Sequence, residues 1–129
     1  MELNNYYSQD NDHIVFTRQQ GSDFAKSIAG DFNPIHDVDA KRFCVPGDLL
    51  FSLSLQRYGL SQHMRIQFSG MVADGTSLVF PDSDAPQLDI TDTAGKPYLS
   101  LERSGDTSHN TEQINALTRC YVQFSGHTF

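Results

Sequence analysis

The amino-acid sequence predicts an α+β domain in which an antiparallel sheet wraps around one long buried helix. Two observations support this prediction. Residues 49–55 are apolar at nearly every position apart from Ser52 and Ser54, and residues 64–101 contain several short stretches that alternate between apolar and polar side chains. With 129 residues the chain has the size of one domain. We therefore expect a single domain over residues 1–129.

Composition and charge narrow the classes of function. Hydrophobic residues make up 38% of the chain, which is typical of a globular protein, and the formal net charge is −7. Such an acidic chain is unsuited to nucleic acid, because affinity for phosphates depends largely on Lys and Arg. An acyl-CoA, with its phosphates, would need a local cluster of the basic residues Lys26, Lys41, Arg42 and Arg57.

The sequence also predicts a cytoplasmic protein. The polar, acidic residues 1–12 do not resemble a signal peptide, and no apolar run is long enough for a membrane helix. Cys44 and Cys120 lack metal-ligand spacing, so we expect two reduced thiols. We expect no metal, no other cofactor, and neither nucleic acid nor a membrane as a partner.

The first elements are a strand and a short helix. The β-branched and aromatic run 13–17 predicts a strand that ends at Gln20-Gly21. Ser22 or Asp23 can then cap a helix that Gly30 ends. Its buried face would contain residues at helical spacing, namely Phe24, Ala25, Ile28 and Ala29.

A loop and the long helix follow. Pro34 excludes a regular helix through Asn33, so residues 31–46 predict an irregular loop. The next segment, 49–55, could alternate as a strand, but its leucines, Asp48 as a possible N-cap and Gly59 as a stop favour a buried helix.

Beyond Gly59 the sequence has the period of strands. Residues 64–72 alternate, Asp74-Gly75 indicates a hairpin, and residues 76–80 predict the returning strand. Segments 88–91 and 98–101 predict a second antiparallel pair. A polar break over 104–110, a short helix over 111–117 and a last strand over 119–124 complete the chain.

This order favours the hot-dog fold. A helix that is apolar on most sides needs covering on most sides, and a curled antiparallel sheet provides that cover. Since such a sheet leaves edges exposed, we also expect a homodimer.

One short internal echo suggests that the chain could continue. Gln67-Phe68-Ser69-Gly70 recurs at residues 123–126, which is either coincidence or a sign of further structure. Because the chain stops directly after a predicted strand, the 129 residues could be the N-terminal part of a longer protein.

The segment with the clearest chemical meaning is Gly30-Asp31-Phe32-Asn33-Pro34-Ile35-His36. It resembles the signature Gly-Asp-x-Asn-Pro-x-His of (R)-specific enoyl-CoA hydratases and the wider MaoC-like dehydratase superfamily. The resemblance extends over roughly half the chain, from Phe24 to Gly75, and is only a general strand pattern after Asp82. It implies a hot-dog fold and a role in fatty acid metabolism.

Hydration of an enoyl thioester needs a base that activates water, an acid that protonates the α-carbon, and a donor to the enolate-like oxygen. The resemblance implies that Asp31 and His36 are the catalytic acid/base pair. Asn33 could orient the water or hold the turn through its amide. Gly47 could offer its backbone N–H at the start of the long helix as the oxyanion donor. The substrate-binding candidates are Phe32, Pro34 and Asp48.

The match also has departures. Arg42 stands six positions after His36, where the signature usually has Ala or Ser. The path from His36 to Gly47 is shorter than usual, and Pro46 precedes the glycine where relatives often carry His. These features put the position of Gly47 in question.

Three functions therefore remain open: a hydro-lyase acting on an acyl-CoA or acyl-carrier-protein thioester, a non-catalytic module that binds such a thioester or a partner protein, and a thioesterase. Taken singly, Asp31 and Asn33-Pro34 could be turn residues and His36 a hydrogen-bonded loop histidine. A metal site from Asp31, His36, Asp37 and Asp39 has suitable ligand types, but their spacing matches no known pattern.

Overall fold

The computed structural model of the chain describes the backbone of residues 3–127 and the side chains of residues 3–122. These residues form strands β1 (Ser8–Asp10), β2 (His13–Val15), β3 (Leu60–Phe68), β4 (Leu78–Val79), β5 (Gln87–Asp92) and β6 (Pro97–Ser108), and helices α1 (Arg18–Asp23), α2 (Gly47–Tyr58) and α3 (Thr111–His127). Within this part of the chain, no helix is both long and apolar enough to cross a lipid bilayer.

All six strands belong to one antiparallel sheet with the order β1-β2-β4-β5-β6-β3. Strand β6 is central to the second half, because it pairs with β5 on one side and with β3 on the other. The α+β class with an antiparallel sheet is therefore confirmed. Strands β1 and β3 form the edges.

Helix α1 begins earlier than the sequence reading suggested. The N-cap is Thr17, whose hydroxyl accepts from the Gln20 N–H while the Gln20 side chain accepts from the Thr17 N–H, a complete capping box. The expectation that Ser22 or Asp23 caps the helix, with Gln20-Gly21 outside it, was wrong. The helix continues in π-helical form over Phe24–Ala29 and ends at Gly30, as predicted.

Helix α2 is longer than predicted and starts at a different cap. Pro46 is the N-cap residue and Asp48 lies in the first turn, so Asp48 is not the cap. Gly59 ends the helix with a positive φ of 79°, as expected of a glycine stop. The buried positions occur on most sides of the helix: Leu49, Leu50, Ser52, Leu53, Ser54, Leu55 and Tyr58.

The core joins α2 to one face of the sheet. Leu88 and Ile90 on β5 are buried while Gln87 and Asp89 are exposed, which is the alternation predicted for that strand. They belong to one cluster with Leu49, Leu53 and their sheet neighbours. Each fully buried leucine stabilises the fold by about 1.5–3 kcal/mol, so this face fixes the sheet against α2.

Two predictions about the second half of the chain were wrong. Strand β3 does not form a hairpin with β4 around Asp74-Gly75, because β3 pairs with β6 and β4 lies between β2 and β5. The predicted break over 104–110 is mostly the continuation of β6, and the predicted strand over 119–124 belongs to α3. The predicted hairpin of 88–91 with 98–101 is confirmed.

The two copies of the internal echo have different secondary structure. Gln67 and Phe68 end strand β3, whereas residues 123–126 lie in α3. The echo is therefore not a structural repeat.

Candidate functional site

The end of the first helix places Asp31. In the π-helical segment the Gly30 N–H donates to the Ala25 carbonyl, and Gly30 then adopts the left-handed conformation with φ 66°. The Asp31 N–H donates to the same carbonyl at 2.7 Å. These two hydrogen bonds to one carbonyl reverse the direction of the chain, and the Asp31 side chain is buried.

The loop after Asp31 is a rigid turn built by its own side chains. The Asp31 carboxylate accepts from the Asn33 N–H at 3.0 Å, and the Asn33 side-chain oxygen accepts from the Ile35 N–H at 3.2 Å. Pro34 opens a single 3-10 turn, Pro34–His36. Asn33 thus holds the turn, which was one of its two predicted roles, and the turn carries His36 back toward Asp31.

His36 lies between a backbone carbonyl and the Asp31 carboxylate. Its Nδ1 is 2.7 Å from the carbonyl oxygen of Cys44, and its Nε2 is 3.3 Å from Asp31 Oδ2. Since a carbonyl oxygen only accepts, Nδ1 must carry a hydrogen, which leaves Nε2 as the nitrogen that faces the carboxylate. A proton on either Nε2 or Oδ2 would join the two groups across this distance.

Burial makes this pair sensitive to small changes in position. Asp31 and His36 are each only 6% exposed. A charge-assisted contact in such surroundings is stronger than one in water. At a separation of 3.3 Å, both groups are also close enough to bond to the same water. The two residues that the motif singled out are therefore side by side.

Gly47 stands at the first position of α2, three residues after Cys44. Within the described part of the chain its N–H makes no hydrogen bond, as expected for the first turn of a helix. The ring of Phe68 lies over it, 3.5 Å from where a Cβ on Gly47 would be. Gly47 is itself exposed, so a ligand can approach it beside the Phe68 ring.

A family model matches residues 1–129 of the chain. The chain therefore belongs to this family, whose description is "Protein of unknown function (DUF3581)". Neither a curated protein nor a solved structure matches the chain.

In this member of the DUF3581 family, two of the three predicted substrate-binding residues are exposed. Phe32 is 69% exposed and Pro34 is also exposed. Asp48 lies near Tyr121, where its charge, after the larger effect of burial, helps to raise the pKa of the tyrosine. Phe32 and Pro34 are therefore surface residues next to the pair in the loop, whereas Asp48 is half-buried at the start of α2.

The four basic residues named for an acyl-CoA do not gather in one place. Lys26 pairs with Asp37 at 3.0 Å in the loop after the motif, and Lys41 and Arg42 are exposed in that same loop. Arg57 lies at the opposite end of α2, over the ring of Phe80.

Two clefts lie away from the motif. A cleft of about 1220 Å³ lies at the C-terminal end of α2, lined in part by Arg57, Tyr58 and Arg103. A second, of about 700 Å³, lies along β3 and β6. Neither is bordered by residues 30–36.

Two groups that support the site were not predicted from the sequence. The Cys44 carbonyl fixes His36, and Arg18 contacts the loop between these residues. Both act through backbone groups, which leave no pattern in a sequence. Of the residues considered for a metal site, Asp37 pairs with Lys26. The described residues contain no group of three or more His, Cys, Asp or Glu arranged to hold a metal ion.

Proposed function

We propose that this DUF3581 protein is a hydratase or dehydratase that acts on an enoyl or 3-hydroxyacyl thioester, with Asp31 and His36 as the acid/base pair. The observation that carries the proposal is the 3.3 Å contact between His36 Nε2 and Asp31 Oδ2, in a buried site whose histidine tautomer is fixed by the Cys44 carbonyl. The Gly30–His36 motif supplies the reaction class.

The proton inventory of the pair suits this reaction. In hydration, a water oxygen bonds to the β-carbon and the carbon–carbon double bond becomes a single bond. The pair takes one proton from that water and gives one proton to the α-carbon, so it ends with as many protons as it began with. The reverse sequence eliminates water. Both directions need the two groups close together and shielded, as Asp31 and His36 are.

Gly47 is the proposed oxyanion donor. A free N–H in the first turn of a helix favours the negative charge that develops on the thioester oxygen. Asn33 has a supporting role, because its amide oxygen holds the Ile35 N–H and so keeps the turn that presents His36. Phe32, Pro34 and Asp48 are the proposed contacts for the acyl thioester.

A hot-dog arrangement and a homodimer are part of this proposal. Helix α2 is buried on most sides and shares one core cluster with the sheet, which is compatible with a sheet curled around it. Strand β3, Leu60–Phe68, is an edge strand of nine residues, and edges of this length are usually covered by another element or chain. Pairing of β3 with a second copy would also bring a neighbour close to Phe68.

The direct experiment is incubation of the purified protein with crotonyl-CoA and a longer enoyl-CoA, with chiral analysis of the product. We expect (R)-3-hydroxyacyl-CoA from the wild type and none from Asp31→Asn, which keeps the size of the side chain and its acceptor for the Asn33 N–H. Circular dichroism of both proteins controls for folding. Equal rates for the two proteins, or no turnover of either substrate, would contradict the assignment.

A binding module without turnover is the second candidate, and one observation favours it. Neither of the two clefts borders residues 30–36, so the acid/base pair does not lie in either of them. Such a module would be stabilised against heat by acyl-CoA or acyl carrier protein with no product formed. An enzyme would show the same stabilisation together with turnover, so the two candidates separate in one pair of measurements.

A further inference from the structure

Arg18, at the first position of α1, makes an unusual set of contacts. Its Nη1 donates to the carbonyl oxygens of Val38 at 3.1 Å and of Ala40 at 2.6 Å. Its Nε pairs with Asp74 Oδ1 at 3.3 Å, and its guanidinium lies 5.6 Å from the centre of the Phe43 ring. One side chain thus joins the start of a helix, the loop after the motif and the turn before β4.

The contacted loop is the one that positions His36. Residues 37–43 form a loop whose ends are joined by two hydrogen bonds. His36 Nδ1 donates to the Cys44 carbonyl at 2.7 Å, and the Cys44 N–H donates to the Ile35 carbonyl at 3.0 Å. Arg18 bonds to two carbonyls inside this loop and stacks on Phe43, the neighbour of Cys44. The Arg18 side chain therefore contacts both the loop and the residue next to Cys44, whose carbonyl accepts from His36.

Packing beneath the loop leaves Phe43 little freedom. Phe43 is 4% exposed, and a Cβ built on Gly21 in α1 would lie 2.7 Å from Phe43 Cζ. The helix backbone thus supports the ring from one side while the Arg18 guanidinium covers another. Since Phe43 directly precedes Cys44, a displacement of the ring would move the carbonyl that accepts from His36.

We propose that Arg18 is a positioning residue, which holds the 37–43 loop so that the Cys44 carbonyl keeps His36 Nε2 directed at Asp31. The proposal rests on the proposed function for its catalytic meaning, but the geometry it concerns exists without a substrate. Both bonds of Arg18 to the loop come from Nη1, which holds the Val38 and Ala40 carbonyls together.

The choice of arginine follows from this geometry. A guanidinium presents five N–H donors in a fixed plane and can stack on an aromatic ring while it bonds at its edge. A lysine ammonium also has several donors, but all lie on one nitrogen of a shorter side chain, so it cannot bond both carbonyls, pair with Asp74 and lie over Phe43 together. The ion pair itself is half-exposed and contributes little to stability, so the carbonyl bonds matter more.

The test is nitrogen-15 NMR of the His36 ring in the purified protein, which needs no substrate. Wild-type protein should show one His36 state in which Nδ1 carries a hydrogen bonded to the Cys44 carbonyl. Arg18→Ala should lose this single state and show an averaged ring, and Arg18→Lys should show the same change to a smaller degree. Asp74→Asn, which removes the ion pair but keeps both carbonyl bonds, should leave the His36 signals as in wild type.

Folding is checked by thermal unfolding of each variant. A folded Arg18→Ala protein with wild-type His36 signals would overturn the proposal, and if that variant does not fold, unchanged signals in Arg18→Lys would do so. Because these NMR readouts do not depend on turnover, an inactive wild type would contradict the hydratase assignment but not the positioning role of Arg18. In an active enzyme, we expect Arg18→Ala to lower kcat about 10- to 100-fold with a smaller change in KM.

Discussion

His36 Nδ1 lies 2.7 Å from the carbonyl oxygen of Cys44, eight residues further along the chain. This contact decides which ring nitrogen faces Asp31, because a carbonyl can only accept and so keeps a hydrogen on Nδ1. The chemistry open to the Asp31–His36 pair is therefore set by the backbone of the loop between the motif and α2. Cys44 contributes through its carbonyl, and burial raises the pKa of its thiol, so we assign the sulfur no reaction.

The first prediction concerns Gly47→Ala. Gly47 is not in a left-handed conformation, and its added methyl would make an ordinary contact with the Phe68 ring at 3.5 Å. We expect the free energy of unfolding to change by less than about 0.5 kcal/mol, while hydration of crotonyl-CoA slows because the methyl obstructs approach to the N–H. Urea unfolding and initial rates measure the two effects separately.

The matched control for that variant is Gly59→Ala, at the other end of the same helix. Gly59 has a φ of 79°, and its added Cβ would lie 2.8 Å from the Ser108 carbonyl oxygen. This substitution should destabilise the protein by about 1–3 kcal/mol. A large loss of stability in Gly47→Ala, or none in Gly59→Ala, would contradict the described geometry of α2.

The second prediction concerns the acid stability of the β5–β6 turn. Asp92 accepts from the Lys96 and Ala94 N–H groups at 2.9 Å each and from the Tyr98 hydroxyl at 3.3 Å. The Lys96 N–H is the main cause that lowers the pKa of Asp92 below its ordinary 3.8, with the other donors adding to it. A lowered pKa in the folded state stabilises the fold above pH 3.8, and this contribution disappears as the pH falls through the folded-state value.

Asp92→Asn keeps the acceptor oxygen and removes the charge, so its melting temperature should fall below that of wild type near neutral pH. The difference should vanish in strong acid, where Asp92 is protonated in both states. Asp89→Asn makes the same change of charge at an exposed position of the same strand and serves as the control. A gap between wild type and Asp92→Asn that stays constant down to pH 2 would refute this assignment.

The third prediction concerns Tyr58, at the end of α2. Its hydroxyl donates to the Pro81 carbonyl at 2.8 Å, and burial, the largest cause, raises its pKa from 10.0 to about 12. A raised pKa means that the protonated form stabilises the fold fully below pH 10, and that this contribution is lost as the pH rises through about 12.

Tyr58→Phe should therefore cost about 1 kcal/mol at pH 7, since the Pro81 carbonyl loses its donor. In an ultraviolet titration of the tyrosines, the step at about pH 12 should be reduced in the variant. Full retention of that step would show that another tyrosine produces it.

Local signals in the sequence were sufficient for some elements and misleading for others. Gly30 and Gly59 ended helices as predicted, because their φ values suit glycine. Thr17 and Gln20 have the residue types and the spacing of a capping box, whereas the prediction placed the cap at Ser22 or Asp23. Residues 119–124 predicted a strand, yet Ile114, Thr118 and Val122 are buried at a helical spacing of four.

Non-local pairing explains the remaining errors in the fold. Asp74-Gly75 has a hairpin composition, but β3 pairs with β6, and the Gly75 N–H donates to the Phe16 carbonyl at 2.9 Å. Such partners depend on the packing of the whole sheet and not on the turn. At the site, the proximity of Asp31 and His36 followed from the motif, whereas Arg18 and the Cys44 carbonyl act through backbone contacts that a sequence does not display.

The most direct measurement of the central claim is a double-mutant comparison of crotonyl-CoA hydration by wild type, Asp31→Asn, His36→Asn and the variant with both changes. If the two residues act as one acid/base pair, each single change should lower kcat by at least about 100-fold, and the double variant should be no slower than the slower single variant. Independent, multiplying losses, or a single variant with the wild-type rate, would contradict a shared site at Asp31 and His36.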